Sequence, residues 1–172
     1  SWEEYLSANL KGARNVFEAA HRAGVQRLVF ASSGATVAGW ERESPYAELV
    51  AGQYDKLPAE WPMITHDMAP RPGSIYAASK VWGEAIARYY ADSTQMTVIS
   101  VRVGYVPASN RPDSPRAFSV WCSHRDVAQM FRRCLAAPLP RSYDTFFATS
   151  RNRWGYRDLS HAAAVLGIEP QE

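Results

Sequence analysis

The ten glycines of this 172-residue chain are scattered, and no two or three of them form the Gly-rich turn that cradles phosphate. Charge of one sign is also lacking. Nineteen Lys and Arg stand against seventeen Asp and Glu, a net charge of +2. That is too little for the basic patch a nucleic-acid binder needs, so no nucleic-acid partner is expected. There are two cysteines, Cys122 and Cys134, too few for a disulfide scaffold and in keeping with a reducing compartment, so a cytoplasmic location is expected. Apolar runs such as Leu28–Ala31 fall far short of the roughly 20 residues needed to cross a bilayer. Ser1 opens straight into a polar, helix-like stretch with no secretory signal. No Gly-x-Ser-x-Gly is present, so a hydrolase nucleophile elbow is not supported. No His or Cys spacing matches a metal motif, so no metal site is expected. Cys122-Ser-His124 reads as packing and helix entry, and His66-Asp67 as loop structure.

What is present is an ordinary globular composition, 47% hydrophobic and 21% charged, and an alternation of helix and strand patterns. Leu6, Leu10, Ala13, Phe17 and Ala20 recur at helical spacing, which predicts a helix over 2–23 closed by Gly24. The run Arg27–Ala31 reads as a buried parallel strand. Residues 32–75 read as a long irregular connection with a short helix near Pro45–Tyr54, and a connection of that length is usually functional. Good helix formers predict a helix over 76–92. β-Branched residues predict a strand over 97–103. Ser123 with Asp126 reads as a capping box starting a helix whose apolar face is Val127, Met130, Phe131, Cys134 and Leu135. A strand over 143–149 and a helix over 159–166 closed by Gly167 follow. Strands alternating with helices predict an α/β fold with a parallel sheet, in one domain over 1–172.

Tyr76 and Lys80 lie four residues apart, hence on one helix face a turn apart. An ammonium beside a phenol favours the phenolate, the form a general base needs. Ser32-Ser33 follow the first strand, at the sheet end where open parallel sheets bind ligands. A hydroxyl there can hold a substrate oxygen beside the tyrosine.

These residues sit in a series of motifs that resembles the extended short-chain dehydrogenases/reductases of the NAD-dependent epimerase/dehydratase family. Asn9–Asn15 with Val16–Ala20 resembles the family's fourth helix. Gly24–Ser33 is similar to its fifth strand and catalytic serine. Tyr76-Ala-Ala-Ser-Lys80 with Gly83-Glu84 is similar to its catalytic helix. Val101–Gly104, Ser123–Ala128 and Leu166–Pro170 resemble its sixth strand, late helix and C-terminal signature. The uronate-dehydrogenase-like branch is the nearest in pattern.

The resemblance implies a Rossmann-like parallel sheet of which this chain holds the C-terminal two-thirds, the glycine-bearing βαβ part lying outside it, with a substrate region over about 104–172. It implies an NAD(P)-dependent oxidoreductase acting on a sugar or sugar-acid hydroxyl, with NAD as cofactor and NADP still open. In that reading Tyr76, Lys80 and Ser33 are catalytic. Tyr76, Lys80, Ala31, Val106 and Asn9 contact the cofactor. Ser33, Gly34, Tyr105 and Arg116 contact the substrate, Arg116 offering a bidentate fork to a sugar carboxylate. It also implies a homodimer through the helices at 2–23 and 76–92. Two alternatives stay open. One is a nucleotide-sugar epimerase or dehydratase of the same family, against which stand the roughly 70 residues after Val103, few for its larger substrate region. The other is a truncated, non-catalytic binding or structural fragment. Gly34-Ala35 and Tyr105 depart from the uronate pattern, so the reaction type carries over more firmly than the substrate.

Overall fold

A computed structural model describes residues 1–172. The first helix, α1, runs unbroken from Trp2 to Arg22 through three hydrogen-bonding registers: α over Trp2–Glu4, π over Tyr5–Gly12 and α again over Ala13–Arg22. Ser1 caps it with a reciprocal Ser1–Glu4 capping box. Gly24, at φ 71°, turns the chain out of it. The helical spacing of the apolar residues is realised, but the π stretch is not visible in that spacing.

Strand β1 (Arg27–Ser33) extends two residues past the expected run and so carries both serines. The connection that follows is more ordered than expected. It holds a 3₁₀ segment, Gly34–Arg42, then α2 (Tyr46–Ala51) and a 3₁₀ turn, Tyr54–Lys56. Helix α3 (Ile75–Ser93) is capped by the Ser74 side chain, and β2 (Thr97–Val103) matches its expected bounds. Helix α4 (Ala117–Val120) leads to α5 (His124–Ala136), then β3 (Tyr143–Ala148) and α6 (Ser160–Leu166), which ends on left-handed Gly167. At α5 the Ser123 cap is present, but the reciprocal half of the box is not. Asp126 turns away to accept from Ser150 Oγ and the Gln171 backbone, because those partners are packed beside it. Leu135, expected on the buried face of α5, is 59% exposed.

The strands form one parallel sheet in the order β1-β2-β3. Arg27 pairs with Thr97 and Ser33 with Val103, while Val98 pairs with Tyr143 and Val103 with Ala148. The central strand is buried from Val98 to Arg102, as expected for a sheet covered on both faces. Val98 packs with Phe17, Ala87 and Tyr90 of α1 and α3. Ile99 and Val101 face the other way, onto Met130, Cys134 and Leu166 of α5 and α6. A third cluster, Val37, Tyr46, Leu49, Ile64, Phe147 and Tyr156, holds the long connection against the C-terminal ends of the strands. This Rossmann-like arrangement places Ser33, the Gly104 turn and the start of α3 at one sheet end. No helix is long and apolar enough to cross a membrane.

Candidate active site

Ser33 ends β1, and its Oγ accepts from Ala35 N at 3.1 Å. Its carbonyl accepts from Thr36 Oγ1 at 2.8 Å. These bonds fix the serine at the head of the 3₁₀ segment and leave its O–H free to donate. Lys80 reaches back across β1 and donates from Nζ to the Ala31 carbonyl at 2.9 Å. Its ammonium lies 5.2 Å from the Phe30 ring centroid and 5.9 Å from that of Tyr76. Half-burial pushes the Lys80 ammonium below the usual lysine value. Tyr76 is 36% exposed, so its phenol is reachable from solvent. Tyr76, Lys80 and Ser33 therefore share one end of β1, with Ala31 tied in through its carbonyl.

The approach of α3 to β1 depends on Gly83, where a Cβ would overlap the Phe30 ring. One helical turn beyond Lys80, Glu84 is buried and accepts three hydrogen bonds: from Ser32 Oγ at 2.6 Å and from Arg102 Nε and Nη2 at 2.9 and 2.8 Å. The side chains of Arg102 and Glu84 are 4% and 7% exposed. Arg102 Nη1 donates further to the His66 carbonyl at 3.3 Å. This buried network locks the residue preceding Ser33 to the helix that carries Tyr76 and Lys80. Sequence reasoning missed it, although Arg102, a charge inside an apolar strand, was its signal.

The other expected residues fall in several places. Asn9 donates to Ser79 Oγ at 2.8 Å, and Ser79 donates to the Tyr76 carbonyl at 2.7 Å, so Asn9 ties α1 to α3, the helix that carries Tyr76 and Lys80. Asn9 and Lys80 also border a groove of about 340 Å³ with Phe30 and Ala13. Gly34 is buried against Arg157, whose Nη2 donates to the Gly34 carbonyl at 3.1 Å. A Cβ on Gly34 would overlap that guanidinium. Arg157 is itself 3% exposed and lies over Phe147 and Tyr156 rather than beside a paired carboxylate, a support that no local pattern announces. Tyr105 donates to Asp113 Oδ2 at 2.9 Å, and this bond, more than burial, raises its phenol above the usual value. Tyr105 and Val106 are both more than a third exposed. Arg116 does present a bidentate fork, but to Glu41, at 2.6 and 2.8 Å. Glu41 also accepts from Tyr156 O–H. A substrate carboxylate must displace Glu41 to use that edge of Arg116.

Residues 1–119 match the NAD dependent epimerase/dehydratase family. The chain belongs to that family. As a member it is similar to several sugar dehydrogenases. It is 30% identical to an NAD-dependent glucose-6-phosphate dehydrogenase of Haloferax volcanii, over 99% of this chain and 63% of that protein. It is 31% identical to a uronate dehydrogenase of Pseudomonas putida, over 100% of this chain and 56% of that protein. The crystal structure of a single-residue variant of Agrobacterium tumefaciens uronate dehydrogenase complexed with NAD superimposes with a TM-score of 0.77 at 29% identity, covering 95% of this chain and 54% of that one. The chain thus spans between 54% and 63% of the length of these three relatives.

Proposed function

We propose that this chain carries the catalytic and substrate-binding part of an NAD-dependent dehydrogenase acting on a sugar or sugar-acid hydroxyl, in a uronate-dehydrogenase-like reaction. The observation that carries the reading is the placing of a reachable Tyr76 phenol, a Lys80 ammonium pinned to the Ala31 carbonyl and a Ser33 hydroxyl with its O–H free at one end of a parallel sheet. In this reading residues 1–172 act as one domain with a C-terminal substrate region over about 104–172, which adds to the contacts of Ser33 and Gly34.

The residues present fit the nicotinamide-ribose end of NAD. Lys80 offers an ammonium 5.9 Å from the centre of the exposed Tyr76 ring, and Ala31 lies exposed on the edge strand. No Gly-rich turn for the pyrophosphate occurs among these residues. NAD, when bound, supplies the hydride acceptor. Tyr76 as phenolate takes the proton from the substrate hydroxyl, and Lys80 stabilises that phenolate. Ser33 Oγ–H holds the reacting oxygen. The buried Ser32–Glu84–Arg102 network holds Ser33 and Tyr76 in register. Ala31, Val106 and Asn9 line or support the cofactor side, and Gly34, Tyr105 and Arg116 the substrate side. Exposed Val16 on α1 and Tyr89 on α3 support a homodimer through these helices, which sedimentation at micromolar concentration tests.

The substrate class is tested by following NAD reduction in the protein that carries this chain, with a panel of aldoses, aldose phosphates and uronates and with NADP as the comparison. Turnover of at least one panel member with NAD supports the reading. Absence of both turnover and NAD binding across the panel refutes it.

A further inference from the structure

Glu41 lies near the end of the 3₁₀ segment that Ser33 heads, and both of its carboxylate oxygens are engaged. Oε2 accepts from Arg116 Nε at 2.6 Å. Oε1 accepts from Arg116 Nη2 at 2.8 Å and also from the Tyr156 hydroxyl. Two parallel N–H···O bonds are the geometry a sugar carboxylate would make with a guanidinium. The Glu41 side chain is 11% exposed and that of Arg116 41%. The acid is the shielded partner, and the guanidinium is open on its other side. Tyr105 on the substrate side is likewise engaged by an acid of its own loop, Asp113.

A guanidinium has a second edge, and the bonds to Glu41 leave Arg116 Nη1 for a ligand. A substrate carboxylate on that edge would lie across the same guanidinium from Glu41. Glu41 already neutralises that charge. The newcomer would meet like-charge repulsion and give up its hydration without a counter-charge of its own. A sugar hydroxyl accepts from Nη1 with no charge to be repelled. Asp113 adds a second negative group on this side. Arg157 does not offset the two acids, because its Nε and Nη1 are sealed from solvent beneath Gly34.

We propose that Glu41 determines specificity by filling the carboxylate position of Arg116 from within the chain, so that the substrate is a neutral aldose rather than a uronate or an aldose phosphate. The inference rests on the proposed dehydrogenase reading and names the substrate class of that same site. Glu41 acts through Arg116: it fixes and neutralises the guanidinium, whose free edge holds a sugar hydroxyl. The family resemblance implies a fork offered to a sugar carboxylate at Arg116, and here the chain supplies that carboxylate itself.

The test follows NAD reduction by the protein that carries this chain, with neutral pentoses and hexoses against the matching hexuronates and hexose 6-phosphates. For the best neutral aldose, kcat/KM should exceed that of its charged counterparts at least about tenfold. In Glu41→Gln the ratio should move towards the uronate by at least about tenfold, through KM for the uronate rather than through kcat. Adding Arg116→Gln to Glu41→Gln should abolish that gain, which a merely structural Glu41 would not do. The wild-type comparison decides alone should Glu41→Gln not fold. A wild-type preference for the uronate or the phosphate, or an unmoved ratio in folded Glu41→Gln, overturns the inference and leaves the dehydrogenase reading standing. So does NAD binding with no turnover of any neutral aldose. Absence of both NAD binding and turnover overturns the dehydrogenase reading, and this inference falls with it.

Discussion

Replacing Glu84 with alanine leaves the Arg102 guanidinium buried without its counter-charge and removes the acceptor of the buried Ser32 hydroxyl. The three bonds at 2.6 to 2.9 Å and exposures of 4% and 7% put this pair among interior ion pairs. Breaking such a pair by removing one partner costs about 3–5 kcal/mol. The orphaned serine donor does not add its full desolvation cost, about 1–3 kcal/mol, because both losses draw on the same carboxylate. The expected destabilisation is therefore about 4 kcal/mol, a large share of the roughly 5–15 kcal/mol that holds a domain folded. Urea unfolding followed by circular dichroism measures it, with Glu84→Leu combined with Arg102→Met as the partner experiment. The double variant should recover much of the loss, since apolar replacement of a buried pair is often neutral. A loss below about 1 kcal/mol for Glu84→Ala would place the pair in the energetic range of exposed ion pairs and refute the reasoning.

Three further outcomes follow from the geometry. Gly83→Ala should destabilise the protein by about 1–3 kcal/mol through overpacking, because the new methyl group overlaps the Phe30 ring; an unchanged thermal midpoint would show that α3 can shift freely on β1. Burial pushes the thiols of Cys122 and Cys134 up to about 12, so both should resist a thiol reagent at pH 8 until denaturant is added, and rapid labelling of the native protein would contradict their burial. Glu41→Gln weakens the hold on the Arg116 fork, so KM for a uronate should fall by about tenfold, about 1.4 kcal/mol, with KM for an aldose little changed; equal effects on both would place Arg116 outside the carboxylate subsite.

The fold was legible where local pattern and tertiary burial agree. β2 carries five consecutive buried residues from Val98 to Arg102, so its apolar run marks both its type and its ends. The Ser123 cap was legible because it is a local bond, whereas the destination of Asp126 was not, because Ser150 and Gln171 reach it only through folding. The π stretch of α1 hid because side-chain spacing reports which face is apolar and not which carbonyl each amide bonds. At the candidate site, the sequence marked Tyr76, Lys80 and Ser33 by spacing and by position on elements, and the structure brings them to one end of β1. Glu41 against Arg116, Arg157 beneath Gly34 and His66 against His161 were not, since each pairs residues far apart in the chain.

The central claim is that Tyr76 exchanges the proton while Lys80 and Ser33 hold the reacting groups. The most direct measurement compares wild-type and Tyr76→Phe forms of the protein that carries this chain, in steady-state NADH production with the best substrate and in NAD affinity. The account predicts that kcat falls by at least about a hundredfold, with unfolding and NAD binding nearly unchanged, because the exposed phenolic hydroxyl makes no protein hydrogen bond that phenylalanine would lose. Turnover in Tyr76→Phe equal to wild type would contradict it.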